Sequence, residues 1–174
     1  RRDVFDRVGL WETRLGRKAG TLLGQEVREW CVRARAKGVR GVYLPELRMG
    51  HLIHTWRLNK TYFRRWYYWR GISRALLYRQ AGLDMEKPEQ TTLDFSKVPH
   101  VAGVPRYLYR SALVHGTAWL RALARRDEAA AFDEEQWLWM FLGVVRQRWK
   151  DRNAPFEWQQ GEHAAVVRPQ PGIT

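Results

Sequence analysis

Residues 24–38 run Gly24-Gln25-Glu26-Val27-Arg28-Glu29-Trp30-Cys31-Val32-Arg33-Ala34-Arg35-Ala36-Lys37-Gly38. Val27, Trp30, Cys31 and Ala34 recur at helical spacing, Arg28, Arg33, Arg35 and Lys37 fall elsewhere, and Gly38 supplies a stop. The spacing therefore predicts a helix over 25–37. Glu26 and Glu29 lie three apart and project from one face near its N-terminus. Such carboxylates suit the positive end of the helix macrodipole, and they are also placed to act as acid or base. Before this helix, Gly16, Gly20 and Gly24 with Arg17 and Lys18 read as a flexible loop, and Val4, Phe5 and Val8 read as a short helix stopped by Gly9. After it, residues 39–44 and 47–51, separated by Pro45, read as two short strands.

Further along, Asn59 is placed to cap a helix over 60–80 that Gly82 ends. Tyr62, Phe63, Trp66, Trp69, Ser73, Leu76 and Leu77 form its apolar stripe, with Arg64, Arg65, Arg74 and Arg79 off it. Residues 84–105 hold Pro88, Pro99, Gly103 and Pro105 with weak periodicity, which reads as a long connector. Two amphipathic helices follow, one over 106–126 and one opened by a capping box of Asp133 and Gln136. The tail from 154, with Pro155, Pro169, Pro171 and Gly172, is expected to be poorly ordered. The organisation is thus 1–58, a helix within 59–83, a connector over 84–105, two helices over 106–153 and a tail over 154–174, in an α+β class that is mainly α.

Across 174 residues, 31 Lys and Arg against 18 Asp and Glu leave a net charge of +13, which points to anionic partners. A hydrophobic fraction of 45% with ten Trp excludes intrinsic disorder for most of the chain. One cysteine, Cys31, allows neither an internal disulfide nor a zinc–thiolate cluster, as expected in a reducing compartment. Phosphate-binding loops, GxGxxG turns, HExxH and CxxC are all missing from the sequence. His51 and His54, three apart, are candidate metal ligands only if carboxylates join them from elsewhere.

The stretch Phe5-Asp6-Arg7-Val8-Gly9-Leu10-Trp11-Glu12, the helix start Gly24 to Arg33, Gly38, Tyr43-Leu44-Pro45 and His51 together resemble the C-terminal half of a family 2 glycosyltransferase of the GT-A fold. Arg57, Tyr62-Phe63-Arg64-Arg65-Trp66 and Arg70-Gly71 are similar to that family's basic aromatic helix. The resemblance implies a C-terminal portion of a GT-A α/β fold, its short strands followed by amphipathic helices. It implies transfer of a sugar from a nucleotide-diphosphate donor to an acceptor hydroxyl with inversion, assisted by a divalent metal, Mg or Mn. Glu26 and Glu29 become acceptor-site carboxylates, His51 a metal ligand, and Arg57 and Lys60 contacts to diphosphate or substrate. The family's general-base aspartate aligns with Val27, whose isopropyl group accepts no proton. The nucleotide-binding half, with its D-x-D metal motif, is expected before Arg1, so this chain alone is expected to be inactive.

The non-catalytic alternative is a basic module that binds an anionic membrane surface or, with less support, nucleic acid. Lys60, Arg64, Arg65, Arg70 and Arg74 interleave with Trp66, Tyr67, Tyr68 and Trp69, which suits phosphates and bases or lipid headgroups. Trp137, Trp139 and Phe141 sit in an apolar run followed by Arg146, Arg148, Lys150 and Arg152, the pattern of an interfacial helix. The run is too short to span a bilayer, so the expected location is cytoplasmic, peripheral at the inner face of the cell membrane.

Overall fold

A computed structural model describes residues 2–86 and 97–157. The order is α1 (Arg2–Val8), α2 (Glu26–Ala36), a 3₁₀ turn (Thr55–Arg57), α3 (Lys60–Ala81), β1 (His100–Val101), β2 (Val104–Pro105), α4 (Arg106–Ala124) and α5 (Glu128–Lys150). The chain is mainly helical, with one two-stranded antiparallel sheet.

α3 begins and ends where its sequence directs. The Asn59 side chain accepts from the Tyr62 amide at 2.8 Å, and Gly82 takes the left-handed conformation, φ 60°, that closes the last turn. α3 packs along α5, and α4 packs on the flank of α5. At the α3–α5 crossing the two backbones meet through glycines: a Cβ on Gly71 would lie 2.0 Å from the Met140 carbonyl oxygen, and one on Gly143 would lie 2.0 Å from that of Tyr68. Any side chain at either position would hold the helices apart.

Two apolar clusters flank α3. Ala75, Tyr78, Met85, Val104, Leu108 and Val144 gather elements from α3 to α5 on one side. Leu15, Leu77 and Leu83 join the N-terminal segment to α3 on the other. Covered from both sides, the second half of α3 is buried nearly all round, so Arg74, which the stripe placed outside, is 5% exposed and donates to the Met85 carbonyl at 2.7 Å.

Several expectations are corrected. Residues 39–44 and 47–51 form no strands. Val42, Tyr43 and Leu47 are exposed, and no neighbouring strand among the described residues takes up their backbone hydrogen bonds. The sheet lies instead within 84–105, where Val101 pairs with Val104 around Ala102 and Gly103. Both turn residues have positive φ, 49° and 74°, as a two-residue hairpin needs. α5 starts one and a half turns before the expected cap: Asp127 accepts from the Ala130 amide at 3.0 Å, while Asp133 sits inside the helix. Residues 154–157 belong to the packed body, since Phe156 meets Tyr78 at 5.6 Å and His100 at 5.3 Å, and Glu157 accepts from Arg79 at 2.7 Å. The rest of the expected tail, 158–174, lies outside the described residues, as do 87–96 of the connector.

Candidate functional site

The N-terminal segment is organised by Trp30 and Arg33 of α2. Trp30 donates its indole N–H to the Gly9 carbonyl at 2.8 Å and packs with Phe5 and Trp11, ring centres 5.1 and 5.0 Å away. Arg33 donates to the Val8 and Leu10 carbonyls at 2.6 and 2.7 Å and is fixed from behind by both oxygens of Glu29. Three carbonyls of the α1–α2 connection are thereby satisfied by α2 side chains, which sets the orientation of that helix. The Gly24 amide donates to the Ser73 hydroxyl at 3.4 Å, which holds the start of α2 against α3.

Beside that start lies a cavity of about 830 Å³. Gly24, Gln25, Glu26 and Val27 form its rim, Leu22, Leu23, Val32 and Leu83 supply apolar wall, and Trp66 comes from α3. Four arginines, Arg17, Arg28, Arg35 and Arg70, line it against the single carboxylate of Glu26. Arg70 lies over the rings of Trp66 and Tyr67 at 5.1 and 5.8 Å, and its Nε is buried without a hydrogen-bond partner. Glu26 Oε2 is likewise buried and unpartnered. Both residues line the cavity, but these two atoms have no accessible surface and lie behind its wall, so what the cavity itself presents to a ligand is the arginine-rich lining. The N-cap of α2, Gln25, makes no side-chain cap, and the positive end of that helix adds to the cationic lining. Val27 is 56% exposed at the rim, so its methyl groups stand where a carboxylate would reach the same space.

The remaining sequence-derived candidates lie elsewhere. Glu29 is engaged by Arg33 and does not line the cavity. Lys60 pairs with Glu128 at 3.1 Å and lies over Phe132. Arg57 lies over Trp56 at 4.9 Å, with its Nε buried and unpartnered. His51 is exposed on the irregular segment after α2, and His54 stacks on Trp56. Among the described residues no three His, Cys, Asp or Glu side chains converge on a point, so His51 does not by itself make a divalent-metal site. Arg17, Arg35 and Cys31 were not among the expected site residues. The signal for Arg17 was its position in the glycine-rich loop, whereas Arg35 and Cys31 become visible only once α2 is seen to turn that face towards Trp66.

The charges of α3 are largely taken up inside the fold. Arg64 and Glu135 pair at 2.6 Å across the α3–α5 interface, and the Arg64 guanidinium holds the Glu135 carboxyl below the usual range. Arg65 donates to the Gly20 carbonyl. The aromatic run of α5 is also engaged: Trp137 stacks on His115 at 4.8 Å, Trp139 donates to Glu135 at 2.9 Å, and Phe141 packs on Tyr109. Among the described residues no helix is long and apolar enough to cross a membrane. Compared with known proteins, the chain matches no family model, no curated protein and no solved structure.

Proposed function

We propose that this chain is the acceptor-binding, C-terminal part of an inverting glycosyltransferase of the GT-A type, working peripherally at the cytoplasmic face of a membrane. The observation that carries this reading is the cavity at the start of α2, where the Gly24-Gln25-Glu26-Val27 segment that resembles the family's acceptor-side motif opens onto an arginine-lined space. In that role the cavity takes a hydroxyl-bearing acceptor with acidic groups, and Trp66 offers a face for a sugar ring. Transfer joins the acceptor oxygen to the anomeric carbon as the bond to the nucleotide diphosphate breaks, and the hydroxyl proton goes to a base. Glu26 is the carboxylate that lines the cavity among the described residues, and in this reading its side chain turns to bring the buried Oε2 to that proton; Val27 withholds the usual base. The described residues do not complete a metal site, so no step is assigned to a metal here, and this reading expects the donor-binding residues in sequence outside this chain.

The test joins the chain to its upstream coding sequence and measures release of nucleotide diphosphate from a panel of nucleotide sugars with acidic hydroxylated acceptors. The 174-residue chain alone is expected to show none. The longer protein is expected to show turnover that Val27→Asp raises by about 10²–10⁴, the usual value of a general base, and that Glu26→Gln lowers. No release by either longer protein would overturn the assignment. The non-catalytic reading is favoured by one observation, Val27 in place of the carboxylate; it gains if Val27→Asp leaves the longer protein silent.

A further inference from the structure

The outer face of α4 combines exposed aliphatic side chains with uncompensated charge on one regular helix; residues 39–58 also expose apolar side chains, but on an irregular segment with no regular face. α4 holds Arg106, Arg110 and Arg121 and no acidic residue, and Arg125 and Arg126 follow it. Its inner face is packed: Leu108 and Ala122 are buried, and His115 is fixed between Trp137 and Glu134. On the opposite side Leu113 and Leu120 are 71% and 59% exposed, and Val114 and Leu123, on the two flanks, are 57% and 47% exposed. All five arginines are exposed, and none of them enters an ion pair among the described residues. Arg64, Arg65, Arg74 and Arg79 of α3 and Trp137, Trp139 and Phe141 of α5 are spent on internal contacts, whereas the five arginines of this region make no ion pair among the described residues.

We propose that the outer face of α4 docks on an anionic phospholipid surface, with Leu113 and Leu120 entering the boundary of the acyl chains and Arg106, Arg110 and Arg121 meeting headgroup phosphates. A helix of 19 residues is about 28 Å long, and residues 106, 110, 113, 117, 120 and 124 keep one line along it, so the surface it offers is straight and suits a plane. Nucleic acid would use the arginines and leave the leucines in water. A second copy would set five arginines against five. An anionic bilayer satisfies both kinds of group, because interfacial helices bind through apolar burial together with attraction to acidic lipid. The assignment deepens the peripheral location proposed above and is independent of sugar transfer.

The experiment is co-sedimentation of the full chain with vesicles of phosphatidylcholine alone and of phosphatidylcholine mixed with phosphatidylglycerol. Binding is expected only to the mixed vesicles, and it should weaken yet persist as salt rises, because the apolar contribution is not screened. Leu113→Gln with Leu120→Gln should lower the partition coefficient about tenfold or more, and Arg110→Gln with Arg121→Gln should lower it about tenfold. These positions are exposed, so circular dichroism and melting should match the parent. The control is Leu47→Gln with Met49→Gln, which removes equally exposed side chains from the segment after α2 and should leave binding unchanged. The assignment is overturned if the control pair abolishes binding while the α4 pairs do not. It is also overturned by loss of all binding at moderate salt, by tighter binding to single-stranded RNA at matched ionic strength, or by self-association that Leu113→Gln removes. Vesicle binding without sugar transfer would leave this inference standing and count only against the enzymatic reading.

Discussion

Replacing Gly143 by Ala tests the α3–α5 crossing directly. The new Cβ would lie 2.0 Å from the Tyr68 carbonyl oxygen, 3.0 Å from its carbon and 3.1 Å from the Ile72 amide nitrogen. All three are backbone atoms of a packed helix, so no side chain can swing aside. Restoring an ordinary carbon–oxygen contact requires the helices to part by roughly 1 Å, and a gap of that size forfeits about a quarter to a half of each dispersion contact along the seam. Overpacking of this kind costs about 1–3 kcal/mol, and rigid backbone places this site at the upper end. Alanine returns about 1 kcal/mol through helix propensity. The net expectation is a loss of about 2 kcal/mol, seen as a lower midpoint in urea and a melting temperature about 4–8 °C below the parent. Gly116, inside α4, is the internal comparison: a Cβ there meets nothing within 4 Å, so Gly116→Ala should stabilise by about 1 kcal/mol. Gly143→Ala at or above parental stability would refute the close approach of the two backbones.

Burial beneath Phe156 and beside Tyr78, with the Arg148 charge adding, holds His100 below its usual 6.5, and the Tyr78 hydroxyl, pushed up by its own burial, shares a hydrogen bond with His100 Nε2 at 2.9 Å. The neutral imidazole is favoured in the fold, so its contribution is present above about pH 6.5 and lost as the pH falls towards the depressed value; thermal melts of His100→Gln should show a flatter pH profile in that window. For Glu135, held below 4.5 by Arg64, stability is present above that value and lost as pH falls through the depressed one. Glu135→Gln should therefore cost under about 1 kcal/mol at neutral pH and reduce the acid-side fall of the melting temperature. Val27→Asp places a carboxylate in the first turn of α2 at an exposed position, and chemical denaturation should find it equal to the parent or stabler by about 0.3–1 kcal/mol.

The helices were legible because their signals are local. Asn59 and Gly82 bracket α3, and Pro105 opens α4, whatever the rest of the molecule does. The misplaced elements depend on distant partners. Val39, Val42, Tyr43 and Leu44 carry strand-forming side chains, yet a strand exists only when another accepts its hydrogen bonds, and among the described residues none does. Trp137 and Trp139 had the composition of an interfacial helix; Glu135, one turn before Trp139, was a local partner the sequence offered, whereas the stacking of Trp137 on His115 of α4 depends on the tertiary packing. At the candidate site, Glu26 and Val27 were visible as a motif. The arginines that give the cavity its charge come from a loop, one face of α2 and α3, and only folding gathers them.

The contacts that join α3 to α5 also set the order in which the molecule can assemble. Arg64 and Glu135 are 71 residues apart, whereas α4 and α5 are separated only by a short turn in which Arg126 takes a positive φ of 59°. Closing the long loop costs chain entropy before any contact rewards it, and the short one is nearly free of that cost. On chain entropy alone the α4–α5 hairpin is expected to form ahead of the docking of α3 against Gly143. Gly143→Ala then raises the barrier to docking only as far as the glycines already touch in the transition state, and the rest of its effect speeds the departure of α3.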